Sequence, residues 1–290
     1  MKFVMIAGAK STKESRKRIL EAAKKYFDTV LFVPIEKIRI HCEAGKTKIL
    51  FKNMDLTEFD VCYARFFGND FVLGQIILDL LENSNVYTPN SVQGFQIANH
   101  KYYAVKVLSE LNLPVPETGL SITPETALTI SSKINFPLVV KLVAGFGGKG
   151  VMLSQSEKEF KPVLDTLKVF KEFVTIQKFI PNDGTDKRVY VFGSKTIGVE
   201  RKAAKGDWRA NVSRGGQAKI MQVTDKERQI AINAAKLLGL DICAVDFIKS
   251  DKGPVIIEIN FAPGFIIKYF GSRFAREAME TMYKKALKKK

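Results

Sequence analysis

The chain has 290 residues, of which 46% are hydrophobic, 26% charged and 10% aromatic, a composition that fits a soluble globular protein and excludes the disordered, collagen-like and disulfide-scaffold classes. At roughly 150 residues per domain the length favours two domains over one. The 46 Lys and Arg against 30 Asp and Glu leave a formal charge of +16, shared between the body and a lysine-rich end, a field that suits nucleic acid, nucleotide phosphates or an acidic protein.

The first apolar run, Phe3 to Ala7, is too short for a signal h-region and lacks a small-residue cleavage pattern, so it reads as a first strand. Ser11-Thr12-Lys13-Glu14 offers a capping box, after which Ile19, Leu20, Ala23 and Phe27 recur at helical spacing. Strands at Val30 to Val33 and Val61 to Ala64 complete a small βαβ-type layer. Gly8-Ala9-Lys10 lacks GxGxxG spacing, so no dinucleotide site is expected. Arg65, opening Arg65-Phe66-Phe67-Gly68, reads equally as a cleft residue or as an exposed residue at a turn.

The apolar stretches Gln75-Ile76-Ile77-Leu78 and Leu138-Val139-Val140 stop far short of the roughly 20 residues that a bilayer-spanning helix needs. No membrane partner is expected, and the expected location is cytoplasmic. A helix from Lys101 to Asn112 ends at Pro114-Val115-Pro116, a linker into a second unit. That unit holds a strand at Leu138 to Leu142, a glycine-rich turn, a strand at Val151 to Ser154, a helix at Glu157 to Phe170 and a strand at Val174 to Phe179. A hairpin follows, Arg188 to Phe192 and Lys195 to Glu200 joined through Gly193-Ser194, then a helix at Asp225 to Leu238 and a last hairpin around Lys249 to Pro254. The lysine-rich end reads as a solvated, frayed helix end.

Cys42, Cys62 and Cys243 are odd in number and widely spaced, which predicts core thiols in place of disulfides or a CxxC site. With only His41 and His100 present, hydrolases that need a His base and His-rich metal cages have almost no material.

Three constellations carry chemistry. Pro137 to Lys141 followed by Gly145-Phe146-Gly147-Gly148-Lys149-Gly150 delivers a strand lysine and then free backbone N–H groups, the composition of a polyphosphate cradle. It is not a Walker A loop, because Gly150 follows Lys149, and a purely structural turn is equally compatible. In the last hairpin a three-residue turn, Asp251-Lys252-Gly253, sets Asp246 opposite Glu258, with Glu258 and Asn260 on one face. Two carboxylates and an amide oxygen suit a hard cation such as Mg²⁺. The alternative is acidic residues that face solvent or meet Arg, and a two-residue turn would put Asp246 opposite Ile257. Thirdly, Glu200-Arg201, Trp208-Arg209-Ala210-Asn211 and Arg214-Gly215-Gly216 supply arginine forks for an anionic or transferring group.

The order Asn99-His100-Lys101, Pro116-Glu117-Thr118, Pro137 to Lys141, the glycine loop, Ile176-Gln177-Lys178-Phe179-Ile180, Asp186-Lys187-Arg188, Arg209-Ala210-Asn211, Arg214-Gly215-Gly216, Asp246 and Glu258-Ile259-Asn260 before Pro263-Gly264 resembles the ATP-grasp carboxylate-amine ligases. It is most similar to the RimK family, which adds glutamate to the C-terminus of a small-subunit ribosomal protein, S-six. The resemblance implies an α/β (α+β) ATP-grasp fold in three subdomains: an N-terminal βαβ layer at 1–96, a small central subdomain at 97–184 and a C-terminal mixed-sheet subdomain with the metal site at 185–290.

By position, the family implies that Lys101 and Lys141 hold ATP phosphates under Gly145 to Gly150, including Gly147 and Gly148. Lys178 and Phe179 would meet adenine through backbone groups, and Asp186 the ribose. Arg209 and Asn211 would line the reacting end of the triphosphate, with Arg209 and Arg201 catalytic. Asp246, Glu258 and Asn260 would bind two Mg²⁺ (or Mn²⁺) ions. His100 departs from the usual acidic residue before the lysine, and Phe265-Ile266-Ile267-Lys268-Tyr269-Phe270 departs from the small and acidic residues after Pro-Gly.

The implied partners are ATP, L-glutamate and an acceptor with a free carboxylate, a protein C-terminus, with nucleic acid not required and a homo-oligomer, dimer or tetramer, expected. A carboxylate is a poor acyl donor, so phosphorylation to an acylphosphate must precede amine attack, and positioning and charge neutralisation carry the rate. A small-molecule coenzyme acceptor keeps the same mechanism. A basic nucleic-acid-binding protein with a degenerate ATP site is the reading of another class; no run of alternating aromatic and basic residues marks a base-stacking platform.

Overall fold

The structure is a computed structural model that describes every residue except 9–10, 143–149, 171–172, 213–214, 265–266 and 290, and gives the backbone alone at 69, 169–170 and 267–269. The chain opens with β1 (Lys2–Ala7), α1 (Lys13–Ala23) and β2 (Thr29–Pro34). It makes an excursion through β3 (Arg39–Glu43), β4 (Lys46–Phe51) and β5 (Met54–Asp55), then returns as β6 (Val61–Arg65). The parallel sheet β2-β1-β6 is the expected layer. The excursion is a separate antiparallel sheet that the pattern did not announce, because Arg39, His41, Cys42 and Glu43 are all exposed and supply no apolar period. Cys42 is therefore a surface thiol, a correction to the expectation of core thiols, whereas Cys62 and Cys243 are buried.

Helices α2 (Phe71–Asn83), α3 (Val92–Asn99) and α4 (Lys101–Glu110) lead into the central layer. There β7 (Thr118–Ser121), α5 (Pro124–Ile134), β8 (Leu138–Leu142), β9 (Val151–Ser154), α6 (Glu157–Phe170) and β10 (Val174–Lys178) build a sheet of order β7-β10-β8-β9. Period two decides its faces: Leu138, Val140, Val174 and Ile176 pack with Phe160 and Leu164 into a core of their own, and Val139, Lys141, Thr175 and Gln177 line a cleft.

The last layer contains β11 (Thr185–Phe192), β12 (Lys195–Lys202), β13 (Gln217–Met221), α7 (Asp225–Leu237), β14 (Ile242–Ser250) and β15 (Gly253–Asn260), with sheet order β13-β12-β11-β14-β15. Phe192 pairs with Lys195 across Gly193-Ser194, and Gly193 has φ +62, the left-handed backbone a two-residue turn of this kind uses. Helix α7 starts at a full capping box, Thr224 with Glu227. Finally α8 (Ile267–Lys289) runs back beside α1, and its Phe274, Ala278 and Met282 join Phe3, Met5 and Tyr190 in one core that cements the first layer to the last. No helix among the described residues is long and apolar enough to cross a membrane.

The final turn differs from expectation. Ser250 pairs with Gly253, so the turn has two residues, Asp251-Lys252. Asp246 nevertheless pairs with Glu258, because a bulge between Asp246 and Phe247 leaves Ile257 without a cross-strand partner. Its cause is packing: Ile256 and Ile259 are three residues apart yet both enter the core containing Val245 and Phe247, which an unbroken period of two forbids.

Candidate active site

One cavity lies between the central and the last sheet. Lys101, Lys141, Lys178 and Phe179 line one side of it, and Asp186, Arg201, Arg209, Asn211, Asp246 and Glu258 the other. Gly147 and Gly148, with Arg214, fall outside the described residues. Asn260 is adjacent rather than lining: it pairs with Ala244, and its Nδ2 is buried with no hydrogen-bond partner among the described residues.

Lys141 reaches the cavity from β8, and its Nζ donates to Gln177 Oε1 at 2.7 Å; Gln177 in turn donates to Thr118 Oγ1 at 3.0 Å. Burial pushes the Lys141 ammonium down to about 8, against the opposing pull of Glu258. Lys101 Nζ donates to Leu142 O at 3.2 Å, and burial lowers its pKa too. Two half-desolvated ammonium groups in one cleft are poised for a polyphosphate, whose charge would replace the lost hydration. His100 is the N-cap of α4, its Nδ1 accepting from Tyr103 N at 3.1 Å, so an imidazole nitrogen does the capping that a carboxylate also performs.

Lys178 turns its side chain away, donating to Ile134 O and Asn135 O at the end of α5. Its backbone N–H donates to Glu117 O and that of Phe179 to Pro137 O, so both N–H groups at the expected adenine position are engaged within the protein. The Phe179 ring meets Trp208 edge to face, 6.1 Å between centroids. Arg209 is clasped by Asp207 and donates to Val151 O at 3.2 Å, tying the polar loop to β9.

The opposite wall is an ionic lattice on one face of the last sheet. Asp186 pairs with Arg201 in register, and Arg188 with Asp246. Arg188 clamps both Asp246 oxygens at 2.6 Å, Arg201 clamps both Asp186 oxygens at 2.6 Å, and Arg201 Nη2 adds a bond to Asp246 Oδ2 at 3.0 Å. Burial opposes the Asp246 carboxylate, but the Arg188 and Arg201 guanidiniums outweigh it and hold the group below the usual carboxylate range. The reading in which an acidic residue of this hairpin meets Arg is therefore correct for Asp246. Sequence motifs alone miss Arg188 as a site residue, although its i, i+2 spacing from Asp186 in Asp186-Lys187-Arg188 puts both on one face.

Arg65 is also settled: it is 3% exposed, donating to Tyr63 Oη at 3.0 Å and to Pro263 O at 3.2 Å. The exposed-turn alternative is wrong, because the strand end is roofed by the Pro263-Gly264 segment.

Among the described residues no cluster of three or more His, Cys, Asp or Glu side chains forms a metal cage. The donor set on the last hairpin still fits a hard cation. It is all oxygen, and Glu258 is exposed with no hydrogen-bond or ion-pair partner among the described residues, although both Asp246 oxygens are engaged by Arg188 and Arg201 and would exchange a guanidinium for the cation.

A model of the RimK-like ATP-grasp domain matches residues 98–282. A "Probable alpha-L-glutamate ligase" of Thioalkalivibrio sulfidiphilus is 31% identical over 253 residues, 86% of this chain and 84% of its own. A protein of the same name from Methanococcoides burtonii is 30% identical over 267 residues, 91% and 88% of the two chains. Among solved structures, a Chryseobacterium gregarium RiPP-associated ATP-grasp ligase in complex with ADP and a leader and core peptide aligns at TM-score 0.75 and 16% identity, covering 98% of this chain and 97% of that one. A D-alanine–D-alanine ligase from Bacillus anthracis complexed with ATP aligns at TM-score 0.70 and 17% identity, covering 99% and 98%. At these identities the two structures speak for the fold, a mixed α/β ATP-grasp architecture.

Proposed function

The chain belongs to the RimK-like ATP-grasp family and is an ATP-dependent ligase, and from that premise we propose that it joins the α-amine of L-glutamate to an acceptor carboxylate through an acylphosphate. The observation that carries this reading is the shared cavity in which Lys101 and Lys141 face Asp246 and Glu258. The acceptor is a protein C-terminus, that of a small-subunit ribosomal protein, S-six. The names of the relatives support glutamate, and the leader and core peptide held by the Chryseobacterium ligase supports a peptide acceptor over a coenzyme tail. In domain terms, residues 1–96 form the first layer, 97–184 the central subdomain and 185–290 the C-terminal subdomain.

In this mechanism an acceptor carboxylate oxygen attacks the γ-phosphorus of ATP, the bond to the β-bridging oxygen breaks, and ADP leaves an acylphosphate. The glutamate ammonium releases one proton to solvent, the free amine adds to the acyl carbon, and the tetrahedral species collapses with loss of phosphate, its nitrogen giving up a second proton to the departing phosphate or to solvent. Lys101 and Lys141 bind the triphosphate, Phe179 and Trp208 bound the base end, and Asp186 meets the ribose. Arg209, Asn211 and Arg201 stabilise the charge that develops on the transferring group. Asp246, Glu258 and Asn260 would hold two Mg²⁺ or Mn²⁺ ions, which when bound neutralise the phosphate oxygens.

The test is incubation with ATP, Mg²⁺, glutamate and extracted ribosomal proteins, followed by intact-mass spectrometry. Adducts on one small-subunit protein spaced by a glutamyl residue are expected. Unmodified ribosomal proteins, with glutamate incorporated into a small molecule of the same extract, would overturn the acceptor assignment.

A further inference from the structure

The strongest feature outside the cavity is the layer made by α1 and α8. Residues 13–25 carry six cations and two carboxylates, and residues 273–289 another six and two. These short stretches thus hold half of the chain's formal charge of +16. Every carboxylate on them is already paired: Glu14 with Arg18, Glu21 with Lys17, Glu277 with Lys195, and Glu280 with Lys195 and Lys284. Lys24, Lys25, Arg273, Arg276, Lys288 and Lys289 are exposed and have no carboxylate partner among the described residues.

The two helices form one surface. Arg18 Nη1 donates to Ser272 Oγ at 2.6 Å, and eight and eleven residues further on Tyr26 meets Tyr283 in a tilted ring contact at 5.8 Å, so α1 and α8 run parallel and in contact. Lys25 lies in the turn directly after α1, next to Tyr26, and helical spacing sets Arg276 on the edge of α8 that carries Ser272 and Tyr283. A basic seam therefore follows the helix pair for much of the roughly 34 Å length of α8. At its far end a cavity is lined by Lys236, Lys285 and Lys289 and by the carboxylates Glu82 and Asp241, the latter paired with Lys285 at 2.9 Å.

We propose that this face docks double-helical RNA through its phosphate backbone, beside the acceptor protein. Charge complementarity carries the argument, and the character of the face selects the partner. Protein interfaces need buried apolar or aromatic anchors, and Leu287 is the one large hydrophobic residue exposed on these two helices among the described residues. Single-stranded nucleic acid needs stacking platforms, and the tyrosines of the seam are only partly exposed, engaged with each other. What remains is a rigid row of cations suited to regularly spaced phosphates, giving affinity with little base specificity. The choice of RNA over DNA rests on the ribosomal acceptor proposed above, whose surroundings are folded RNA.

The experiment measures binding of the full chain to a fluorescent RNA duplex of about 20 base pairs, a length matched to one to two helical turns, across a salt series. A DNA duplex and a poly-glutamate peptide serve as competitors. The triple variant Lys25→Glu, Arg276→Glu, Lys288→Glu is expected to bind RNA at least about tenfold more weakly and with a shallower salt slope by about 2–3. ATP hydrolysis and glutamylation of a free acceptor protein stay unchanged, which reports an intact fold; Lys25→Gln, Arg276→Gln, Lys288→Gln, which adds no negative charge, should weaken RNA binding by a smaller factor. Unchanged RNA affinity in both variants, or DNA or poly-glutamate displacing RNA at equal or lower concentration, would overturn the proposal. RNA binding lost in the variants while no ribosomal protein is ever glutamylated would leave the docking face standing and remove the acceptor assignment.

Discussion

Asp246 stands opposite Glu258 because Ile257 is squeezed out of the ladder between them. The two carboxylates nevertheless live in different worlds: Asp246 is 1% exposed and gripped by two guanidiniums, while Glu258 faces the open cavity. That asymmetry separates structural from chemical consequences at one site.

Asp246→Ala removes the shared counter-ion of Arg188 and Arg201, so it should cost about 3–5 kcal/mol of stability, the range for a buried charge left uncompensated, and abolish turnover. Glu258→Ala should abolish turnover while its stability stays within about 0.5 kcal/mol of the parent, as for an exposed position. Thermal melting beside a Mn²⁺-dependent ADP-release assay checks both, and near-normal turnover in either variant would defeat the metal assignment.

Lys141 gives ATP binding a pH limb. Its ammonium, held down to about 8 by burial, is lost as pH rises, so the dissociation constant for ATP should climb above pH 8 and approach a rise of about tenfold per pH unit. Arg stays charged throughout, so Lys141→Arg should flatten the limb. The single Trp of the chain, Trp208, lies in the cavity wall, and its fluorescence reads the titration.

Gln177 is 3% exposed and its carbonyl oxygen orients Lys141. Gln177→Leu should weaken ATP binding by about tenfold, equivalent to about 1.4 kcal/mol, at the lower edge of the range for a hydrogen bond to a charged group. Gln177→Glu places a carboxylate on the same ammonium and should move the pH limb upward. An unmoved limb in the Glu variant would show that Gln177 does not touch the functional ammonium.

Glu227 ties α7 to the sheet, accepting from Lys187 Nζ at 2.8 Å and from Thr224 in the capping box. Although burial opposes its charge, the bonds from Lys187 and Thr224 prevail and the folded-state pKa is lowered. The stabilisation is therefore complete above the ordinary glutamate range and disappears as pH falls through the lower folded-state value. Glu227→Gln should lower stability at neutral pH by about 1 kcal/mol, in the range of a lost cap, and the difference from the parent should vanish in acid, as urea titrations at several pH values will show.

Local rules, read along the chain, determined the order of strands and helices, the βαβ opening, the Gly193-Ser194 turn and the cleft-facing alternation of Val139, Lys141, Thr175 and Gln177, because caps, turn residues and side-chain periods act over a few residues. The motif order was likewise enough to place the chain in its family. Tertiary structure alone decided that Arg188 and Arg201 share Asp246, that Arg65 is roofed by Pro263, and that α1 and α8 pool their cations. Each of these joins segments far apart in the chain, where pairing depends on sheet order and core packing. The last hairpin shows the boundary most sharply: Ile256 and Ile259, three residues apart, hinted at broken parity, but only the core that both must enter converts that hint into a bulge and returns Glu258 to Asp246.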